Sequence, residues 1–123
     1  MKHDTFATII NKHWPIVTAL TMLIIAGVSL YPAEHLPQVP GTDKTHHFIA
    51  YGLLAFPAAY AQPKNLGFIL IMLCLFGGVI ELIQPYANRY GEWLDFAANC
   101  GGVFTGYLLT ALAKYLNSIK LIK

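Results

Sequence analysis

The stretch LGFILIMLCLFGGVIELIQ, Leu66 to Gln84, decides the fold. It is apolar up to Glu81, it runs without a helix breaker until Pro85, and its length matches the roughly 20 mainly apolar residues an α-helix needs to cross a bilayer core. Comparable runs lie on either side of it. The first covers Trp14 to Tyr31, preceded by Lys2 and Lys12 and stopped by Pro32, Pro37 and Pro40. Another covers residues 45–61, starting near Asp43 and passing through His47, Tyr51 and Leu54 to Tyr60, with Pro57 a kink because it removes one helical hydrogen bond. A last run covers Trp93 to Ala113. Composition agrees, since 56% of the 123 residues are hydrophobic and only 11% are charged, a membrane balance. The sequence therefore predicts an all-α integral membrane bundle of four transmembrane helices, forming one domain over residues 1–123. A cleaved signal peptide is the competing reading of the first run, but that run is long for such a segment and no small-x-small cleavage site follows it.

Between the runs, Tyr31 to Thr42 is rich in proline and reads as an irregular surface loop, whereas Gln62-Pro63-Lys64-Asn65 reads as a tight connection. Cationic residues then orient the bundle, because cytoplasmic loops retain excess Lys and Arg. With the N-terminus inside, Lys2, Lys12, Lys64, Lys114, Lys120 and Lys123 fall on the inner side, against Lys44 and Arg89 on the outer. Both termini are expected in the cytoplasm. The net charge of +2, with no basic stripe interleaved with aromatics, argues against nucleic acid as a partner. Cys74 and Cys100 lack CxxC spacing and read as packing residues. Trp14, Tyr31, Tyr86, Tyr90 and Trp93 lie near span ends, where aromatic rings sit at headgroup level. His3, His13 and His35 have no partner at helical spacing and read as solvated, and His46 as interfacial. The tail, where Lys114, Lys120 and Lys123 alternate with Leu116, Ile119, Leu121 and Ile122, suits either an anionic inner leaflet or plain solvent.

Ionisable groups inside a span cost about 2.5 to 3.5 kcal/mol each at the helix centre on insertion scales, so their presence calls for a reason. Asp43, His47 and Tyr51 follow at i, i+4 and i+8 on one stripe of the second span. Glu81 and Gln84 share a face near the end of the third, with Gly77 extending it inward. Asp95 and Asn99 share a face at the start of the fourth. The proposed topology brings all three ends to the outer side, so these groups should converge there, with Arg89 in the connecting loop to neutralise carboxylates or hold an anion. Ala98, Gly102 and Gly106 recur every fourth position, the spacing that lets transmembrane backbones approach closely. They suggest that the fourth helix packs centrally. Asp95 and Asn99 serve equally well, on sequence alone, as glue between helices.

The segment Asp43-Lys44-Thr45-His46-His47-Phe48-Ile49-Ala50-Tyr51-Gly52-Leu53-Leu54, then Glu81-Leu82-Ile83-Gln84, then Arg89, Asp95, Asn99, Gly102 and Gly106, resembles the VanZ-like family. The resemblance covers about Asp43 to Leu109. Its pieces are DKxxHFxxYxxL, ExxQ, an Arg in the next loop and DxxxNxxG ahead of a small-residue helix, on successive hydrophobic spans. The resemblance implies a polytopic protein of the bacterial cytoplasmic membrane, in a family whose founding member is linked to resistance to the glycopeptide teicoplanin.

Three functional readings follow. In the first, the protein is an enzyme acting on a lipid-linked or cell-envelope substrate: His47 and Glu81 exchange protons, Asp43 or Asp95 orients the imidazole, and Arg89, Gln84, Asn99, Tyr51 and Lys44 contact the ligand. No nucleophile elbow, HExxH or phosphate-cradling loop names a reaction, and Ser29 and Ser118 lie in other regions. In the second, the same groups bind a lipid headgroup, cell-wall precursor or drug without chemistry. Transport of protons or small solutes comes last, because the inner halves of the spans are apolar. Asp43, His47, Glu81 and Asp95 could together ligate a divalent cation, but one well-placed imidazole gives zinc poor support, and no cofactor is expected. Lys44 is placed to pair with Glu81 or Asp95, although interfacial snorkelling also accounts for it.

Overall fold

The computed structural model describes residues 5–38, 40–87, 89 and 91–123. Lys2, His3 and Tyr90, read above as inner-side, solvated and interfacial residues, lie outside the described residues. The described residues form four α-helices and no strand. They are α1 (Phe6–Leu30), α2 (Asp43–Ala61), α3 (Leu66–Ile83) and α4 (Trp93–Ile122), with 3-10 turns at Ala33–His35 and Gln84–Ala87. The segments Phe6–Leu30, Leu66–Ala87 and Trp93–Ile122 are long and apolar enough to cross a membrane.

Helix α2 falls short of that standard, and its position explains why it can. It touches α1, α3 and α4, most extensively α4, and Tyr51, Leu54, Ala55, Pro57, Ala58 and Ala59 are buried. A helix facing other helices needs less lipid-compatible surface than one facing lipid. The hub of the bundle is thus α2 rather than α4, against the expectation from the small-residue stripe. That stripe acts as α4's side of the contact: a Cβ on Gly102 would overlap the Phe48 carbonyl oxygen, and one on Gly106 the Gly52 carbonyl oxygen. Tyr51, Leu54, Ala55, Leu73, Ile25 and Val103 form the core. Around it the outer faces are apolar too, with Leu23 and Leu82 each 69% exposed, a surface suited to lipid rather than water.

Each end of α2 has a local cause. Thr42 caps the start, its Oγ1 accepting from the Thr45 amide at 3.2 Å, which satisfies one of the unpaired donors of the first turn. At the other end Gln62 takes a left-handed conformation, φ 52°, and its amide donates to the Ala58 carbonyl at 2.9 Å, after which Pro63 prevents continuation. Two helices outrun the sequence reading. α1 starts at Phe6 rather than Trp14, because Phe6 packs on the rings of Phe56 and Tyr60 at 6.3 and 6.0 Å, which anchors a turn that Asn11, Lys12 and His13 would not favour alone. α4 continues past Ala113 to Ile122, since no Gly or Pro interrupts it and Lys114 Nζ donates to the Tyr60 carbonyl at 2.6 Å. Its 30 residues amount to about 45 Å at 1.5 Å per residue.

Candidate functional site

The start of α2, the end of α3 and the start of α4 meet at one end of the bundle, and the polar residues there join across helices. Asn99, wholly buried, lies between His47 and Glu81. Its Nδ2 donates to Glu81 Oε1 at 3.4 Å, and its Oδ1 lies 2.8 Å from His47 Nδ1. A carboxylate beside the amide nitrogen sets the amide orientation, so Oδ1 faces the ring and His47 Nδ1 carries the donated proton. The neutral imidazole then keeps its lone pair on Nε2, which makes no hydrogen bond among the described residues. His47 Nδ1 also lies 3.4 Å from Glu81 Oε1. The other Glu81 oxygen accepts from the Glu92 amide at 3.3 Å.

Two glycines make this geometry possible. A Cβ on Gly77 would sit 3.0 Å from both Asn99 Nδ2 and the Tyr51 ring, so α3 can pass this close only without a side chain there. On Gly91 a Cβ would overlap the Glu81 carbonyl oxygen, so a side chain would push the α3–α4 connection away and withdraw the Glu92 amide from Glu81.

Exposure grades from mouth to floor. The Lys44 and Glu92 side chains are 45% and 52% exposed and lie 3.1 Å apart, and Lys44 Nζ lies a further 3.6 Å from Asp95 Oδ1. Beneath them the side chains of His47, Asp95 and Glu81 are 14%, 8% and 7% exposed. Asp95 Oδ1 and the Tyr51 hydroxyl are sealed from solvent with no hydrogen-bond partner among the described residues. One ligand-type atom from each of His47, Glu81 and Asp95 lies within 4.8 Å of the others.

The structure thus gathers His47, Glu81, Asp95, Asn99, Tyr51 and Lys44, and directs three other candidates elsewhere. Asp43 is exposed in the first turn of α2 and makes no side-chain hydrogen bond among the described residues; its negative charge suits a helix N-terminus. Arg89 does not face the carboxylates. Its guanidinium donates to the carbonyls of Val28 and Tyr31 at 3.2 and 2.9 Å, and Gln84 Nε2 donates to that of Ser29 at 3.2 Å. Together they satisfy the C-terminal carbonyls of α1, which has no basic residue of its own in its last turn, and place a cation at the negative end of its dipole. Ala98 is half-buried and Gly102 is buried at the α2 contact. Sequence reasoning missed Glu92 and Gly91. The available signal was charge: Glu92 stands three residues before Asp95, at the mouth where Lys44 has to find a counter-ion.

Outside this network, His46 Nε2 pairs with the Pro40 carbonyl at 2.9 Å. Beside the cluster, on the α2–α4 seam, an apolar cavity of about 300 Å³ is lined by Phe48, Gly52, Phe56, Gly102, Gly106 and Leu109 among others. It begins one residue beyond His47 and descends along both helices. Chemically, the cluster offers an oriented imidazole with a free lone pair, an ammonium at its mouth and an apolar slot alongside. Comparison with protein-family models, with curated proteins and with solved structures found no match to this chain.

Proposed function

We propose that this chain is a four-span membrane protein with both termini in the cytoplasm, whose outer-face cluster binds the polar headgroup of a lipid-linked or other cell-envelope component. The observation that carries the reading is the adjacency of a graded polar cluster, from Lys44 down to Glu81, to an apolar cavity along the α2–α4 seam. That pair of environments suits an amphiphile, with the headgroup in one and the chain in the other. In support of the fourth span, α2 has 19 residues, about 28 Å of helix, close to the roughly 30 Å hydrocarbon thickness. In support of the orientation, Lys12, Lys64, Lys114, Lys120 and Lys123 gather at the end opposite the cluster, against Lys44 and Arg89 beside it. The resemblance to VanZ-like proteins favours a bacterial cytoplasmic membrane and a role in the envelope, with glycopeptide resistance one setting for it.

One feature favours a second reading, in which the bound component is also transformed. His47 is held by Asn99 in a single tautomer with Nε2 free, the state required of a general base. Both readings are tested in lipid nanodiscs with a polyprenyl phosphate as the probe. Saturable binding that weakens in Lys44→Gln, with no product formed, supports binding; product formation lost in His47→Gln supports catalysis. Equal, non-saturable uptake by the wild type and by correctly folded Lys44→Gln and His47→Gln refutes the headgroup proposal.

A further inference from the structure

We infer that His47, Glu81 and Asp95 form a binding site for one divalent cation. The inference goes beyond headgroup binding and stands or falls separately from it. Spacing is the first ground. The three residues each bring a ligand-type atom within 4.8 Å of the other two. Three ligands bound to one ion at about 2.0 to 2.2 Å stand roughly 3.3 to 3.8 Å from one another; His47 Nδ1 and Glu81 Oε1 already do so at 3.4 Å, and a side-chain movement of about 1 Å by Asp95 would complete the set.

Charge is the second ground. Glu81 and Asp95 are two buried carboxylates, and the ammonium closest to Asp95, that of Lys44, gives its hydrogen bond to the half-exposed Glu92. Buried carboxylates are kept where they are paired or bind a metal. One divalent cation would serve both.

An unpartnered atom is the third. Lys44 gives its hydrogen bond to Glu92 at 3.1 Å and stays 3.6 Å from Asp95 Oδ1, so Oδ1, in a residue only 5% exposed, has no hydrogen bond among the described residues. Apart from that longer ion pair with Lys44, its lone pairs are free for a cation.

The surroundings also suit a ligand set. The His47 nitrogen shown near the carboxylates is Nδ1, 3.4 Å from Glu81 Oε1; Asn99 Oδ1 accepts its proton in the metal-free protein, a proton that a bound cation would displace, and the Glu92 amide holds the second Glu81 oxygen. Such supporting hydrogen bonds orient metal ligands. One imidazole with two carboxylates is a mixed donor set suited to Zn²⁺ or Mn²⁺, and three protein ligands would leave a coordination position open.

The test uses the full chain in nanodiscs, purified without chelators. Elemental analysis should find one equivalent of a divalent metal, or stripped protein should take up one equivalent of Zn²⁺ or Mn²⁺, with a rise in Tm that EDTA reverses. Asp95→Asn and Glu81→Gln should each weaken that uptake about tenfold or more, while His35→Ala, which removes an exposed imidazole, should leave the stoichiometry unchanged. No uptake and no shift in the wild-type Tm with either ion overturns the inference without recourse to any variant. So does equal uptake by folded Asp95→Asn and Glu81→Gln proteins, which marks an adventitious surface site. Protein that binds polyprenyl phosphate but takes up neither ion removes the cation alone; protein that binds the cation and no headgroup removes the headgroup proposal alone.

Discussion

Replacing Asn99 by leucine keeps the branched outline of the side chain and removes both polar bonds that tie α2 to α3 through α4. The bond to His47 is short, 2.8 Å, and Asn99 is fully buried. Hydrogen bonds to charged groups in soluble proteins contribute about 1.5–3 kcal/mol, but side-chain bonds in a membrane bundle average about 0.6 with a maximum near 1.7. A sealed 2.8 Å bond belongs near that maximum, so the expected coupling between His47 and Asn99 is about 1–1.7 kcal/mol. The 3.4 Å contact with Glu81 lies at the edge of hydrogen-bonding geometry and adds about 0.5 kcal/mol or less. Leaving His47 Nδ1 without its acceptor raises the total cost of Asn99→Leu to about 2–3 kcal/mol. The assay is SDS-induced unfolding in mixed micelles, followed by far-UV circular dichroism, on His47→Leu, Asn99→Leu and the double variant. Single-variant losses that add to within about 0.3 kcal/mol of the double, or an Asn99→Leu protein as stable as the wild type, would refute the idea that this network joins the helices.

Four further outcomes are expected. Gly102→Ala should destabilise by about 1–3 kcal/mol because its Cβ meets the backbone of Phe48, whereas Gly27→Ala, with nothing within 4 Å, should gain about 0.5–1 kcal/mol; the same micelle titration reads both. Gln62→Gly should stabilise by about 1 kcal/mol by relieving a left-handed backbone at a side-chain-bearing residue, again measured by unfolding, and a loss of stability would count against strain there. Arg89→Ala should speed amide exchange around Val28 to Tyr31 and leave the Tyr51–Ala55 amides unchanged, as mass-spectrometric hydrogen exchange can show; uniform acceleration would mean that Arg89 holds more than the end of α1. With Cys74 and Cys100 changed to alanine, a cysteine at Glu34 should react with an impermeant maleimide in intact cells and one at Ser118 should not. The reverse pattern would invert the proposed orientation.

Sequence reasoning reached the helices because long apolar runs bounded by proline leave few alternatives, and it reached Glu81, Asp95 and Asn99 because polar groups at helical spacing in apolar runs stand out. It erred where a residue's partner is set by tertiary contact. Asp43 shares the stripe of His47 and Tyr51, yet one turn nearer the helix start puts it outside the packed region. Arg89 looked like a partner for carboxylates because both lie at the same end; the open carbonyls of α1, invisible in a pattern of charges, hold it instead. The start of α1 escaped notice for a similar reason, since Asn11, Lys12 and His13 argue locally against a span that Phe6 anchors from a distance. Helix α2 was legible as a helix but not as the hub, because hydropathy measures what a segment offers lipid and not what it offers its neighbours.

Among the four helices, α2 alone is not apolar enough to cross a membrane unaided, and the helix it touches most, α4, is made only after α3. In the proposed four-span arrangement this has a consequence for biogenesis. While α3 is being synthesised, α2 has emerged with His47 and Tyr51 facing no Asn99, and its glycine-lined seam has no mate. Its commitment to the bilayer is therefore deferred, with α2 held at the translocon or the lipid interface until α4 arrives. A chain truncated after α3 should be an orphan that quality-control proteases recognise, although most of its apolar segments are already in place.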